Sequence, residues 1–142
     1  MGLRLPLGDV TVLLGPAVAR SRVIEALDDD SGRCASGHGS VAVQRLAAAP
    51  HDGVDERLAA VRAAADGRAS IVIVDRLTEG LAAADRRVVL TALRPVASAG
   101  RAVLVDDDDP VAALAVADSA LRADPAGGLT TESVEGRDYL AS

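Results

Sequence analysis

Two groups of carboxylates stand where α/β proteins most often do chemistry. Asp75 closes the run Ile71-Val72-Ile73-Val74, and Asp106-Asp107-Asp108-Asp109 closes the run Ala102-Val103-Leu104-Val105. Unbroken apolar, largely β-branched runs are the pattern of strands covered on both faces, and such strands belong to parallel sheets. Open α/β sheets take their ligands at the carboxyl ends of these strands. Asp75 is thereby a candidate Mg²⁺ ligand. Together with Asp106 to Asp109 it could form the site of a few carboxylates and waters that Mg²⁺ favours. A phosphoaspartate receiver or a Mg²⁺-dependent phosphatase would use similar acids. The receiver also wants a lysine, and all fifteen basic residues here are arginine. The competing reading of Asp106 to Asp109 is a solvated acidic helix N-terminus, which the helix dipole favours. Cys34, His38 and His51 are a thinner set. A metal needs three or four converging ligands, and no residue is evident that would orient a Cys/His pair.

The elements that must position these residues follow from the hydrophobic pattern. Val10 to Leu14 reads as a first buried strand, stopped by Gly15-Pro16, and a helix follows from about Val18 to Leu27 with Val23, Ile24 and Leu27 inward. Gly32 to Ser40 reads as a loop, Val41 to Val43 as a short strand at a sheet edge, and Ala47 to Gly53 as a connector. Helical spacing of Leu58, Val61 and Ala65 predicts a helix over Val54 to Asp66, stopped by Gly67. Ser70 to Asp75 is the next strand. A helix starting near Asp85 would bury Val89, Leu90 and Leu93, with Pro95 kinking or ending it and Gly100 as its limit. After the strand Ala102 to Val105, Pro110 suits the first position of a helix capped by Asp109. Ser119 to Ala123 and Leu129 to Val134 read as two final strands, with a frayed tail beyond Glu135. Strand–helix alternation of this kind predicts an α/β fold with a mostly parallel sheet flanked by helices.

Composition narrows the function classes. The chain has 142 residues, which suits one domain, expected over residues 1–136 with a frayed tail at 137–142. It is 49% hydrophobic but has no Phe or Trp, and its one Tyr is Tyr139, so the core must be aliphatic. A net charge of −6 argues against a nucleic-acid partner. One cysteine excludes an internal disulfide framework and fits a reducing cytoplasm. No apolar run of about 18 residues exists to span a membrane, and the N-terminus is too short and interrupted for a signal peptide.

Several stretches resemble ATP-binding cassette (ABC) ATPases of the P-loop NTPase superfamily. Gly8-Asp9-Val10-Thr11-Val12-Leu13-Leu14-Gly15-Pro16 resembles the approach to their P-loop. Ile71 to Leu81 resembles the Walker B strand and its following turn, with Thr78, Gly80 and Leu81 in the family's places. Ala99 to Val105 followed by Asp109-Pro110 resembles the strand into the H-loop, and Ala117 to Arg122 with Gly127-Gly128-Leu129 resembles the closing strands. The resemblance implies a P-loop NTPase-like core. With little sequence between Gly15 and Asp75, it also implies a helical subdomain reduced to about Gly32 through Gly53.

The motifs that would carry ATP chemistry depart from the family. A P-loop, G-x-x-x-x-G-K-[ST], cradles phosphates with backbone N–H groups, a lysine and a hydroxyl. Gly15 matches the first Gly, but Arg20 stands at the second Gly, Ser21 at the lysine and Arg22 at the hydroxyl. Gly15, Arg20, Ser21 and Arg22 are thus the candidate nucleotide-binding set. Arg20 and Arg22 could meet a phosphate at a helix N-terminus or be solvated on a surface helix. Asp75 matches the Mg²⁺-holding Walker B aspartate, but the following Glu is replaced by Arg76, which cannot act as a base. Ala82 replaces the D-loop aspartate, and Asp107 or Asp108 stands where the H-loop His belongs. Only Gly53 fits the signature sequence, although Leu58 to Ala65 resembles the helix after it. No ATP hydrolysis is expected and no cofactor is implied, ATP with Mg²⁺ being the one candidate. The resemblance implies cytoplasmic partners: a membrane protein or transporter subunit, an intact ATPase, or a second copy of the chain. Two alternatives stand beside this: a nucleotide sensor using Arg20, Arg22 and Asp75, and a Mg²⁺-dependent phosphotransfer protein using Asp106 to Asp109.

Overall fold

The computed structural model describes residues 5–29 and 42–133. Cys34, His38, the Gly32 to Ser40 stretch and the tail beyond Glu135 lie outside them. Six strands form one sheet: β1 (Val10–Leu14), β2 (Val43–Leu46), β3 (Ile71–Asp75), β4 (Ala102–Asp106), β5 (Ser119–Ala123) and β6 (Leu129–Ser133). Their order is β2-β3-β4-β1-β5-β6. The first five are parallel, and β6 returns antiparallel beside β5. The fold is α/β with a mostly parallel sheet, as the buried runs predict.

Strand periodicity sorts the aliphatic side chains into two layers. Val10, Val12 and Leu14 of β1, Val72 and Val74 of β3, and Val103 and Val105 of β4 point to one face. There they meet helices α2 (Val54–Ala65), α3 (Ala83–Thr91), α4 (Leu93–Ser98) and α5 (Pro110–Leu114). Leu13, Ile73, Leu104 and Leu121 point to the other face, against Ala19, Val23 and Ile24 of α1 (Ala17–Asp29). No helix of the described residues is long and apolar enough to cross a membrane.

Three details differ from the sequence expectation. The edge strand runs on past Val43 to Leu46, because its ladder with β3 pairs Val43 with Ile71 and continues to Leu46 with Val74, while Val41 of the expected strand lies outside the described residues. The helix expected from Asp85 begins at Ala83 and breaks at Ala92, and a second short helix restarts with Pro95 in its first turn. Pro95 lacks the N–H a helix interior needs, so the chain tolerates it only by restarting. The buried stripe of α2 is Arg57, Val61 and Ala64, with Leu58 and Ala65 only partly buried. An arginine thus takes an inward position that spacing would give to an apolar residue.

Candidate functional site

The chemistry-bearing residues gather at the carboxyl end of the sheet. From β1 the chain turns onto one face as α1, and from the adjacent β4 it turns onto the other face as α5. Adjacent strands whose helices leave on opposite faces open the crevice in which such sheets bind ligands. Gly15 makes the first turn possible. Its φ is +114°, and a Cβ there would lie 2.2 Å from the Ala123 carbonyl oxygen. Only glycine lets the loop pass so close to the end of β5.

Arg20 spans this crevice. Its Nε donates to the Gly15 carbonyl at 3.0 Å, and its Nη1 donates to Asp106 Oδ1 and, at 3.5 Å, to the Asp107 carbonyl. The Arg20 side chain is 17% exposed and that of Asp106 4%. Arg20 therefore faces the interior rather than solvent. Ser21 and Arg22 are exposed on α1. Burial pushes the Asp106 carboxyl above the usual carboxylate range. The charge and hydrogen bond of Arg20 pull it back only in part, and neighbouring Asp75 pushes the same way as burial.

Asp75 sits beside Asp106 in the β3–β4 register and is 6% exposed. Arg45 of β2 donates to its Oδ2 through Nε at 2.9 Å and through Nη2. Arg76 lies 3.4 Å from Oδ1. Arg76 holds a left-handed φ of 50° and donates its backbone N–H to the Asp106 carbonyl at 2.7 Å. Both arginines are open to water on their outer sides, at 44% and 51% exposure. Three guanidiniums thus meet two carboxylates at the sheet's end.

The acidic run after β4 is divided among structural tasks. Asp107 accepts from Thr78 Oγ1 at 2.7 Å and from the Asp109 N–H at 2.9 Å, and Arg86 of α3 lies 3.7 Å from it. Arg86 also donates to Thr78 Oγ1 at 2.9 Å. Asp109 caps α5 by accepting from the Ala112 N–H at 3.1 Å, as expected, with Pro110 at the first helical position. Asp108 alone of the four is exposed. His51 is exposed in the connector. Among the described residues no three acidic, His or Cys side chains converge as a metal cluster.

Sequence reasoning found Asp75, Asp106 and the turn at Gly15 but missed Arg45 and Arg86. For Arg45 a signal existed: in register with β3 it lies beside Ile73, so it shares a face with Asp75 two residues on. For Arg86 there was none short of the packing of α3 on the β4–α5 turn.

No family model matches the chain, and no curated protein does. Solved structures do. One is a metal-chelate type ABC transporter in an inward-facing conformation, at TM-score 0.61 and 14% identity, covering 96% of this chain and 76% of that one. Another is the ATP-binding subunit of an ABC transporter, at TM-score 0.63 and 11% identity, covering 98% and 85%. A third is an archaeal ribosome recycling factor solved with a ribosomal stalk protein, at TM-score 0.62 and 12% identity, covering 94% of this chain but 40% of that one. At these identities the likeness is one of fold, and the chain has an ABC-ATPase-like α/β fold.

Proposed function

We propose that this chain is a non-catalytic ABC-ATPase-like subunit that works by binding. Its place would be as an accessory or regulatory component at the cytoplasmic face of a membrane protein or transporter, or on an intact ATPase. The observation that carries this reading is Arg20 spanning the β1–β4 crevice onto Asp106. Phosphoryl transfer depends on positioned charges around a phosphate and its metal. Here the crevice and both strand-end carboxylates are engaged by the chain's own arginines, and no lysine exists to reach a phosphate. Arg76 occupies the position after Asp75, where its protonated guanidinium cannot activate water. The fold shared with transporter subunits supports the class of partner, and the exchange of ligand contacts for internal ion pairs supports a degenerate engine.

Two measurements test this. Purified protein with Mg-ATP is expected to release no phosphate; turnover abolished by Asp75→Ala would refute the reading. Pull-down from a native membrane extract is expected to bring a membrane protein or an ATPase with it. Recovery as an unaccompanied soluble monomer in mild detergent counts against the partner.

A second reading, a nucleotide sensor using Arg20, Arg22 and Asp75, rests on the exposure of Arg22 beside a cleft of about 160 Å³ that also holds Asp124 and Gly128. Calorimetric titration with ATP, ADP and GTP, with and without Mg²⁺, separates the two, since the sensor must give heat and the scaffold none. Metal-dependent phosphotransfer through Asp106 to Asp109 would require Mg²⁺ to raise the melting temperature, an effect lost in the Asp108→Ala, Asp109→Ala double variant.

A further inference from the structure

Arg57 is the one arginine of the buried class among the described residues, at 3% exposure. Arg20, Arg45, Arg86 and Arg94 each meet an aspartate. Among the described residues Arg57 meets only neutral carbonyls. Its Nε and Nη2 donate to the Asp52 oxygen at 3.1 and 2.8 Å. Its Nη1 donates to the Leu77 and Glu79 oxygens at 3.0 and 2.6 Å. The two Nη1 bonds tie α2 to the turn that follows Asp75, and the other two hold the connector that leads into α2. The four bonds leave one of the five guanidinium N–H groups without an acceptor among the described residues. Among the described residues no carboxylate, that of Glu79 included, lies within ion-pair distance of the guanidinium, an expensive state for a buried cation.

The same guanidinium-bearing residue lines a cleft of about 220 Å³ with Ala48, Ala49, Pro50, Glu79 and Gly80. A buried cation with spare donor capacity at a small open cleft is the arrangement that receives an anion. We propose that this cleft binds a single carboxylate, which completes the hydrogen bonding and neutralises the charge of Arg57. The ring of backbone carbonyls around the guanidinium favours a singly charged, planar oxyanion over a phosphate dianion, whose second charge would face those oxygens. A charge-assisted bond to a carboxylate is short and strong for its size. The carboxylate could come from a small organic acid or from an acidic side chain of a bound polypeptide. The site stands on the geometry around Arg57 and is independent of the role of the β1–β4 crevice.

The test is a titration of the ¹⁵N-labelled full chain with sodium acetate at constant ionic strength, following the Arg57 Nε–H and the Gly80 amide. Saturable shifts are expected, with an apparent Kd on the order of millimolar, and none with inorganic phosphate. Ala49→Leu fills the cleft and leaves Arg57 in place; it should weaken acetate about tenfold or more. Arg57→Met should abolish binding, and Ala49→Leu keeps the question open to test where Arg57→Met does not fold. A capped Gly-Asp-Gly peptide decides the source: tighter binding than acetate assigns a polypeptide side chain, and equal or weaker binding assigns a small acid. Shifts linear in acetate, unaltered binding in Ala49→Leu, or phosphate binding as tight as acetate would overturn the proposal.

Discussion

Asp75 and Asp106 are neighbours in register at the ends of adjacent strands, yet the protein treats them differently. Asp106 is met from below by Arg20, reaching up from a helix packed on the sheet, and both side chains are largely shut from water. Asp75 is met from the side by Arg45 and Arg76, whose outer halves remain solvated. An enclosed pair spends most of its attraction on desolvation and is costly to break one-sidedly. A half-open pair costs less to form and less to lose. The contrast teaches that the same residue type at the same layer of a sheet can be a lock or a rim, depending on which element supplies its partner.

The sharpest way to break this comparison is Arg20→Met. It strands a buried carboxylate and should lower stability by about 3–5 kcal/mol in urea unfolding. The double change Arg20→Met with Asp106→Leu should recover most of that loss. A double variant as unstable as the single would mean that the crevice depends on the charges themselves. Arg45→Met, with Arg76 still beside Asp75, should cost only about 1 kcal/mol in the same assay. Equal costs for Arg20 and Arg45 would erase the distinction.

Acidity separates the regions more finely. Asp106 is raised, so its folded form holds a proton more tightly than the unfolded chain. Its contribution is full below the usual carboxylate range and is lost as pH rises through its raised value. Asp118 is its opposite. Burial pushes it up, but the hydrogen bond from Arg94, the N–H of Val10 and the charge of Arg94 together hold it below the usual range. Its contribution is present above the unfolded value and is lost as pH falls through the depressed one. Asp118→Asn should therefore be less stable than the parent at about pH 7 and converge with it near about pH 3, whereas Asp106→Asn should remove a decline on the alkaline side of the carboxylate range. Melting curves across that range read both. Smallest of all, Arg122→Ala removes an exposed pair with Glu132 and should leave the melting temperature unchanged within error.

The sheet was legible because its strands are runs such as Val72-Ile73-Val74 and Val103-Leu104-Val105, whose burial needs no tertiary information. The cap at Asp109 and the turn at Gly15 were legible for the same local reason. The partners of the acids were not. Arg20 and Asp106 are separated by 86 residues, and nothing local distinguishes an arginine that will reach across a crevice from one that will face water. Arg57 was hidden more deeply. A charged residue within a helical pattern reads as a solvent-facing position, and the carbonyls of Asp52 and of the turn after Asp75 make its burial tolerable.

The place of β1 in the sheet has a consequence for biosynthesis. β1 is made first among the strands, but its neighbours are β4 and β5, paired through Val10 with Val103 and Thr11 with Ser119. A nascent chain must therefore carry Val10 to Leu14 as an unpaired, aggregation-prone strand until β4 and β5 have been synthesised. Long-range pairings of this kind close slowly. A ribosome-bound chain halted before residue 119 is expected to stay sensitive to protease along β1, and release of the closing hairpin should be the event that protects it.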